Sequence, residues 1–291
     1  MESPRSYAPA TEAAVGYLHI DNLYQRAEVL QCFALEKIHG TSAHLGYRSG
    51  QLRYSAGGEK HARFVACIPV SAVTLAERFG AAFGPERAVV VYGEAFGGKQ
   101  QGMGEVYGPT LRFVAFDVKV DGVWQDVPAA EQLVRTLGLE FVPYERGPLT
   151  LEWLTEQRDR PSLVAVVPGA KREGIVVRPI REWADADGGR MIFKYKTEDF
   201  RETRTPRAVT PEQLAILTDA GAIADEWVVP MRLEHVLQRT PYRTPGDTES
   251  VVRAMVADVR RESAGEVAWS KEVEKAIGRA TLKLLQTLPT T

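Results

Sequence analysis

The stretch FALEKIHGTSAHLGY, Phe33 to Tyr47, places Lys37 among strand-forming residues: Phe33, Leu35, Ile38, Leu45 and Tyr47. An ammonium group there is costly unless something pairs with it or uses it. A lysine at a strand end that faces a cavity is a candidate nucleophile. A lysine snorkelling past an edge strand is the plainer alternative, and this stretch alone favours it. Four further stretches carry ionisable groups at or near the ends of apolar runs. Glu94 terminates the strand-like part of VVVYGEAFGG (Val89 to Gly98), and Asp117 follows Phe113 and Phe116 in LRFVAFDVKV (Leu111 to Val120). Glu173 precedes an apolar run that Arg178 closes in KREGIVVRP (Lys171 to Pro179), and Lys194 and Lys196 lie two apart in MIFKYKTEDF (Met191 to Phe200).

Residues i and i+2 of a strand share a face, so Lys194 and Lys196 project two ammonium groups side by side. Alone that is repulsive; a triphosphate lying across the pair makes it favourable. Paired lysines on a solvated edge strand are the commoner arrangement when the pair is taken singly. Together the pieces describe one kind of site: an amine nucleophile, carboxylates for a divalent metal, lysines for phosphates and an aromatic ring to stack on a base. Magnesium takes carboxylate and phosphate oxygens and neutralises charge on a phosphoryl group. Catalysis of such transfers is mostly positioning and electrostatics.

The elements that must position these groups are legible in outline. The chain has 291 residues, 44% of them hydrophobic and 25% charged, with a net charge of −2. That is an ordinary globular composition, with no bulk basicity to announce nucleic acid. Cys32 and Cys67 sit in apolar contexts without metal-ligand spacing, which suits a reducing compartment; with no signal peptide or spanning run evident, the expected location is the cytoplasm, with no membrane partner. Residues 1–15 read as a mobile polar arm. Residues 16–202 read as an α+β body rich in antiparallel sheet, with hairpins turning at Ser49-Gly50 and Asp121-Gly122 and another turn over Asp185 to Gly189. Helical periods fall over 71–79, 128–137 and 149–158. After a polar linker, RETRTPRAVTPEQL, with a helix start signal at Thr210-Pro211-Glu212, residues 203–291 read as a small all-helical domain, clearest over 248–261 and 270–288.

In this order the stretches resemble the covalent nucleotidyltransferases, most closely the ATP-dependent RNA ligases of the RNA ligase 2 type. YLHIDNLY (Tyr17 to Tyr24) resembles the lead-in strand and EKIHGTS the lysine-x-x-glycine nucleophile motif with histidine at the third place. YGEAFGG resembles the third motif, FVAFDV the adjoining aromatic motif, REGIVVRP the fourth and FKYK the fifth. Each is weak alone; five in order from Glu36 to Lys196 are specific.

The resemblance implies a nucleotidyltransferase body of ATP-grasp-like ligase type and a three-step reaction. Lys37 takes AMP from ATP, the AMP passes to a 5′-phosphate of a polynucleotide, and a 3′-hydroxyl displaces it. The implied cofactors are ATP and Mg2+, with Mn2+ as a substitute, and the implied partners are RNA ends in a nicked duplex or structured RNA. Lys37 would be the nucleophile, with burial, Lys194, Lys196 and the metal depressing its pKa. Glu36 and Gly40 would flank the nucleotide, Glu36 through backbone and side chain, and His39 would serve the later steps or orient phosphate. Glu94 would contact ribose or metal, Phe116 rather than Phe113 would stack on adenine, Glu173 would help hold the metal, and Lys194 and Lys196 would bind the α-phosphate and the departing pyrophosphate. An arginine should also meet the phosphates; Arg53 and Arg63 compete, with Arg53 preferred.

Ser42 stands where the family often has asparagine, which bears on the sealing step. GGKQQGMGEVYG (Gly97 to Gly108) lacks the ending of a Walker motif and reads as a mobile loop near the substrate. His19, His44, His61 and His235 show no ligand-like grouping, so no zinc site is expected. Trp227 and Trp269 read as core aromatics, and the arginines at 201, 204, 207, 253, 260 and 261 mostly as solvated helix faces. A DNA ligase or capping guanylyltransferase would use similar motifs but usually adds an OB-fold, a β-barrel, in place of a helical tail. A non-catalytic nucleotide or RNA-end binding protein needs no nucleophile. The oligomeric state is not legible.

Overall fold

The computed structural model describes residues 27–184, 189–205, 219–240, 242 and 244–287. The expected N-terminal arm, the lead-in strand at Tyr17 to Tyr24, most of the 185–189 turn, Arg207 and the helix start at Thr210 lie outside the described residues. The body contains two antiparallel sheets. One has the order β7-β1-β8-β9 and the other β3-β2-β4-β5-β6. The strands are β1 (Gln31–Lys37), β2 (Thr41–Arg48), β3 (Gln51–Ala56), β4 (Val89–Phe96), β5 (Arg112–Val120), β6 (Val123–Trp124), β7 (Tyr144–Pro148), β8 (Gly174–Pro179) and β9 (Phe193–Lys196). Around them lie α1 (His61–Cys67), α2 (Ala72–Phe83), α3 (Gly104–Tyr107), α4 (Val127–Thr136) and α5 (Leu151–Asp159). This is the α+β body of antiparallel sheets with flanking helices that the sequence leads one to expect.

Local chemistry explains most boundaries. Ser71 and Thr150 cap α2 and α5, their hydroxyls accepting from Thr74 N and Trp153 N. Pro128 occupies the first turn of α4, where its missing N–H costs nothing. The hairpin turns use left-handed backbone at Ser49-Gly50 and Asp121-Gly122, which matches the right-handed twist of the strands they join. β1 is flanked by β7 and β8 and buried from Cys32 to Glu36. That two-sided burial is why its sequence reads as an unbroken apolar run rather than an alternation.

The main core lies beneath the second sheet, where Leu45, Tyr47, Val89, Val91 and Val118 meet Phe64, Leu75 and Phe79 of α1 and α2. After β9 the chain turns helical, with α6 (Ala220–Trp227), α7 (Pro230–Arg239), α8 (Thr248–Glu262) and α9 (Lys271–Leu285). These bury a cluster of their own around Ile223, Trp227, Leu233, Met255 and Ile277, with Trp269 packed against it. Both tryptophans are thus packed in apolar surroundings. No single helix among the described residues is long and apolar enough to cross a membrane.

One close approach sets the first sheet's geometry. Gly174 pairs with Lys37 on one side and with Lys196 on the other. A Cβ there would stand 2.3 Å from Tyr195 O and 2.7 Å from Lys196 Cα, at a φ of +155°. Gly174→Ala should therefore push β8 and β9 apart. The expected cost is about 2 kcal/mol, typical of overpacking, with a Tm lower by roughly 5 °C for a chain of this size. Thermal denaturation of the variant checks it; an unchanged Tm would show that the strands do not need this contact.

Candidate active site

The pairing Lys37–Gly174–Lys196 brings the ends of β1 and β9 to either side of the head of β8. Glu173, the residue before β8, is completely buried there. Its Oε2 accepts a hydrogen bond from Lys37 Nζ at 2.9 Å. Its Oε1 lies 2.8 Å from Lys196 Nζ, a charge contact without hydrogen-bond alignment, because that buried oxygen has no hydrogen-bond partner. The buried imidazole of His39 places Nδ1 3.5 Å from Glu173 Oε2. The His39 backbone N–H donates to Tyr107 Oη at 3.3 Å, so α3 fixes the turn that carries the histidine. Lys37 keeps about a quarter of its side chain exposed, at 25%.

The second sheet supplies the opposite wall. Gly40 N–H donates to Glu94 Oε1 at 3.1 Å, and a Cβ on Gly40 would stand 2.4 Å from Ala95 O. The glycine of the lysine-x-x-glycine motif is required because β4 passes that close. A bulge lies in the β4–β5 pairing between Tyr92 and Gly93, opposite Asp117 and Ala115. Phe116 is the extra residue there, and a bulge re-aims a side chain. Phe116 lines an apolar cavity of about 190 Å³ with Leu35, Ile38, Glu94, Val176 and Ile192, beside Lys37. Phe113 instead sits in the core against Phe64.

The helical region forms the third wall of a cleft of about 430 Å³. Lys194 pairs with Glu262 of α8, and Lys196 with Glu202, just beyond β9. Glu202 in turn lies 3.1 Å from His235 Nδ1 and 3.7 Å from the Arg232 guanidinium, both on α7. Arg232 also binds Asp258 at 2.6 Å, and Arg261 reaches Asp258 and Glu262. Behind the apolar cavity, Asp117 is held by Arg178 at 3.2 Å and Arg190 at 2.7 Å.

Charges in the cleft are strongly coupled. Burial pushes the Lys37 amine down, but Glu173, Glu94 and Glu202 outweigh it and hold the amine above the ordinary lysine value. Burial also works against ionised Glu173, yet Lys37, His39 and Lys196 keep its carboxyl well below the usual range. Glu202 is likewise held low against burial, by His235, Lys196 and Lys194. Glu94 goes the other way: burial pushes its carboxyl up to about 8, Lys37 opposing and Glu173 assisting the rise.

The family model for RNA ligase matches residues 31–196, more than half of the chain. The chain belongs to the RNA ligase family. Among solved structures it is similar to Naegleria gruberi RNA ligase. A variant of that enzyme with AMP and Mn is 19% identical over 60% of this chain and 52% of that one, at a TM-score of 0.45. A second variant, with ATP and Mn, is 19% identical over 62% and 53%, TM-score 0.45, and the form with PPi is 20% identical over 59% and 51%, TM-score 0.44. The chain thus spans about half the length of that ligase. No curated protein sequence matches it.

This RNA ligase family member brings Lys37, His39, Gly40, Glu94, Glu173, Lys194 and Lys196 to one cleft, with Phe116 in the adjoining cavity. Several expectations need correction. Burial does lower the Lys37 amine as expected, but the net shift is upward, because Glu173, Glu94 and Glu202 outweigh it. The Glu36 carboxylate is engaged within the protein, accepting from Ser162 Oγ and from Leu163 N at 2.9 Å. Glu36 alternates with Lys37 along β1, so its side chain anchors the 161–173 loop instead, and it only borders the apolar cavity.

Arg53 lines neither cavity. It pairs with Gly46, four positions along β2 from Ser42, or about 13 Å. Arg63 is 3.3 Å from Glu59 on the body's surface and does not replace it. The Gly97 to Gly108 segment is not an open loop; it contains a 3-10 turn and α3, and Gln101 donates to Gly40 O at 3.0 Å. His235 does have a ligand-like grouping, with His39 and Glu173. Arg253 and Arg260 lie on exposed helix faces as expected, whereas Arg261 lines the cleft.

Glu202, Glu262, His235 and Tyr107 were not singled out as site residues. Apart from Lys196, six positions before Glu202, and Arg261, beside Glu262, their partners in the cleft lie far along the chain, and no local spacing signals them.

A pH prediction follows from Glu94. Its folded value, about 8, lies above the ordinary 4.5. The stability contributed by its neutral form is therefore complete below pH about 4.5 and is lost as pH rises through about 8. Metal-free protein should lose more Tm between pH 6 and pH 9 than Glu94→Gln does. Parallel slopes for the two proteins would contradict the assignment.

Proposed function

We propose that this chain is an ATP-dependent RNA ligase of the RNA ligase 2 type, with an adenylyltransferase unit over residues 16–202 and a helical unit from 203 onward, acting in a reducing, cytoplasmic compartment. The observation that carries the reading is the convergence of Lys37, Glu173 and Lys196 beside the Phe116 cavity. An amine, a buried carboxylate and a second ammonium share one strand-end register, next to an apolar slot for a base.

In the first step the neutral Lys37 amine attacks the α-phosphorus of ATP. A P–N bond forms, the bond to the pyrophosphate oxygen breaks, and the amine gives up its proton. A 5′-phosphate oxygen of the RNA then attacks the same phosphorus and breaks the P–N bond. Finally a 3′-hydroxyl attacks the adenylylated 5′-phosphate, closing the phosphodiester and releasing AMP. Lys194 and Lys196 face the cleft where the phosphates of a nucleotide stacked on Phe116 would run, and each now holds a carboxylate that a phosphate can replace.

Glu94 and Glu173 are the carboxylates that would hold Mg2+ or Mn2+. Both offer hard oxygen donors, and Glu173 Oε1 is a buried oxygen with no hydrogen-bond partner, so the donor set fits. An ion there supplies positive charge beside Lys37 and cancels the carboxylate charge that keeps the amine protonated. The helical region that directly follows the body favours RNA ligase over DNA ligase or capping enzyme, and the paired nucleophile favours catalysis over simple nucleotide binding.

Incubation with labelled ATP and a divalent metal should give a covalent adduct, stable to base and labile to acid, that is absent in Lys37→Ala. Labelling by GTP alone would indicate a capping enzyme, and no adduct at all a binding protein. Phe116→Ala should raise KM for ATP about tenfold, the loss of roughly 1–3 kcal/mol of stacking, with the adduct still formed at saturating ATP. A KM that does not move would remove Phe116 from the nucleotide site. Sealing of 5′-phosphorylated RNA and DNA, nicked and single-stranded, should favour RNA.

A further inference from the structure

The middle of the cleft holds two imidazoles that come from opposite sides of it. His39 follows β1 and His235 lies on α7. Their ring centroids are 5.5 Å apart, and one donor atom from each lies within 4.8 Å of the other and of a Glu173 carboxylate oxygen. We propose that His39, His235 and Glu173 form a binding site for one transition-metal ion of the zinc class, joining α7 to the end of the β1–β8 pair. The site does not rest on the ligase reading.

Distance supports it. A tetrahedral ion with bonds of about 2.1 Å needs donors roughly 3.4 Å apart. His39 Nδ1 and Glu173 Oε2 are already 3.5 Å apart. The remaining closure, at most about 1.4 Å against that spacing, falls to His235, whose helix belongs to the region beyond β9.

Orientation supports it independently. A metal-binding imidazole usually turns its other nitrogen to a carboxylate, which fixes the tautomer and leaves the ligating lone pair free. His235 Nδ1 has that partner in Glu202 at 3.1 Å, which leaves Nε2 for an ion. Glu173 is completely buried; its Oε1 faces Lys196 Nζ at 2.8 Å and its Oε2 faces the His39 imidazole, so Oε2 is the oxygen an ion between the imidazoles would take. The donor set also selects the ion: two imidazole nitrogens suit zinc, cobalt or nickel, whereas magnesium prefers oxygen alone.

Occupation has a structural consequence. The ion takes the Glu173 oxygen that Lys37 now holds, so the amine loses that hydrogen bond. It also ties α7 across the cleft. The site is therefore a clamp that competes with the nucleophile for Glu173.

The test is cobalt and zinc titration of the full-length, metal-free protein with magnesium in excess. We expect one Co2+ per chain with the visible spectrum of a tetrahedral ion, and a Tm raised by Zn2+. His235→Gln should weaken both ions at least tenfold and abolish the Tm rise, while Glu94→Gln keeps wild-type Zn2+ affinity. An octahedral or absent cobalt spectrum overturns the proposal. So does affinity unchanged in His235→Gln, or affinity lost in Glu94→Gln, which would place the ion on the carboxylate site instead.

Discussion

Glu173 is wholly buried from solvent, and the arrangement of the cleft follows from that. Moving a carboxylate out of water costs several kcal/mol even after relaxation, and only well-placed counter-charges offset it. Here they come from Lys37 and Lys196, on the strands either side, and from His39 in the turn after β1. None can be supplied by a neighbour in sequence. Each depends on the antiparallel register of β1, β8 and β9, which in turn depends on Gly174 admitting the backbone of β9. The ionised state of Glu173, kept despite burial, expresses how well that register is satisfied.

The same pairing holds the proton on Lys37. An amine beside three carboxylates keeps its proton, and Lys37 is held above the ordinary lysine value. For the attack on phosphorus proposed for Lys37, positive charge must therefore enter before the proton can leave. Lys194 and Lys196 are balanced in the same way, by Glu262 and Glu202. In the proposed reaction a nucleotide's phosphates take over from these glutamates, so substrate replaces one set of charge partners with another and adds no unpaired charge to the cleft.

Where a feature is local, the residues declared it. The i, i+2 spacing put Lys194 and Lys196 on one face, the turn dipeptides placed both hairpins, and serine, threonine and proline marked helix starts close to where they are. The motif order from Glu36 to Lys196 gathered most of the cleft. What the sequence did not disclose is non-local. The Glu36 side chain is spent on Ser162 and Leu163, across 126 and 127 positions of chain, and no alternation rule predicts that partner. Arg53 suits a phosphate contact by type and by position after the nucleophile motif, but strand register, invisible before pairing is known, puts it on β3 opposite Gly46, outside the lining of both cavities. His235 looked isolated because its partners, His39 and Glu173, lie on other elements far earlier in the chain.

The helical region is joined to the body by a different kind of force from those that fold each part. Body and helices bury separate apolar clusters, whereas the cleft between them is crossed by Lys194–Glu262 and by the chain from Lys196 through Glu202 to His235 and Arg232. Apolar burial is indifferent to ions, but paired charges respond to any competitor that offers a better partner, and the exposed members respond to salt. Lys194 is the exposed member and Lys196 the buried one, so a polyanion entering the cleft meets the Glu262 pair first and the Glu202 junction second. Glu202 contacts the body's Lys196 and the α7 pair His235 and Arg232 at once, and Arg232 passes the connection to α8 through Asp258. Any change of charge at Lys196 is therefore felt directly by α7 and α8, and the position of the helices over the cleft is set by the same carboxylates that hold Lys194 and Lys196.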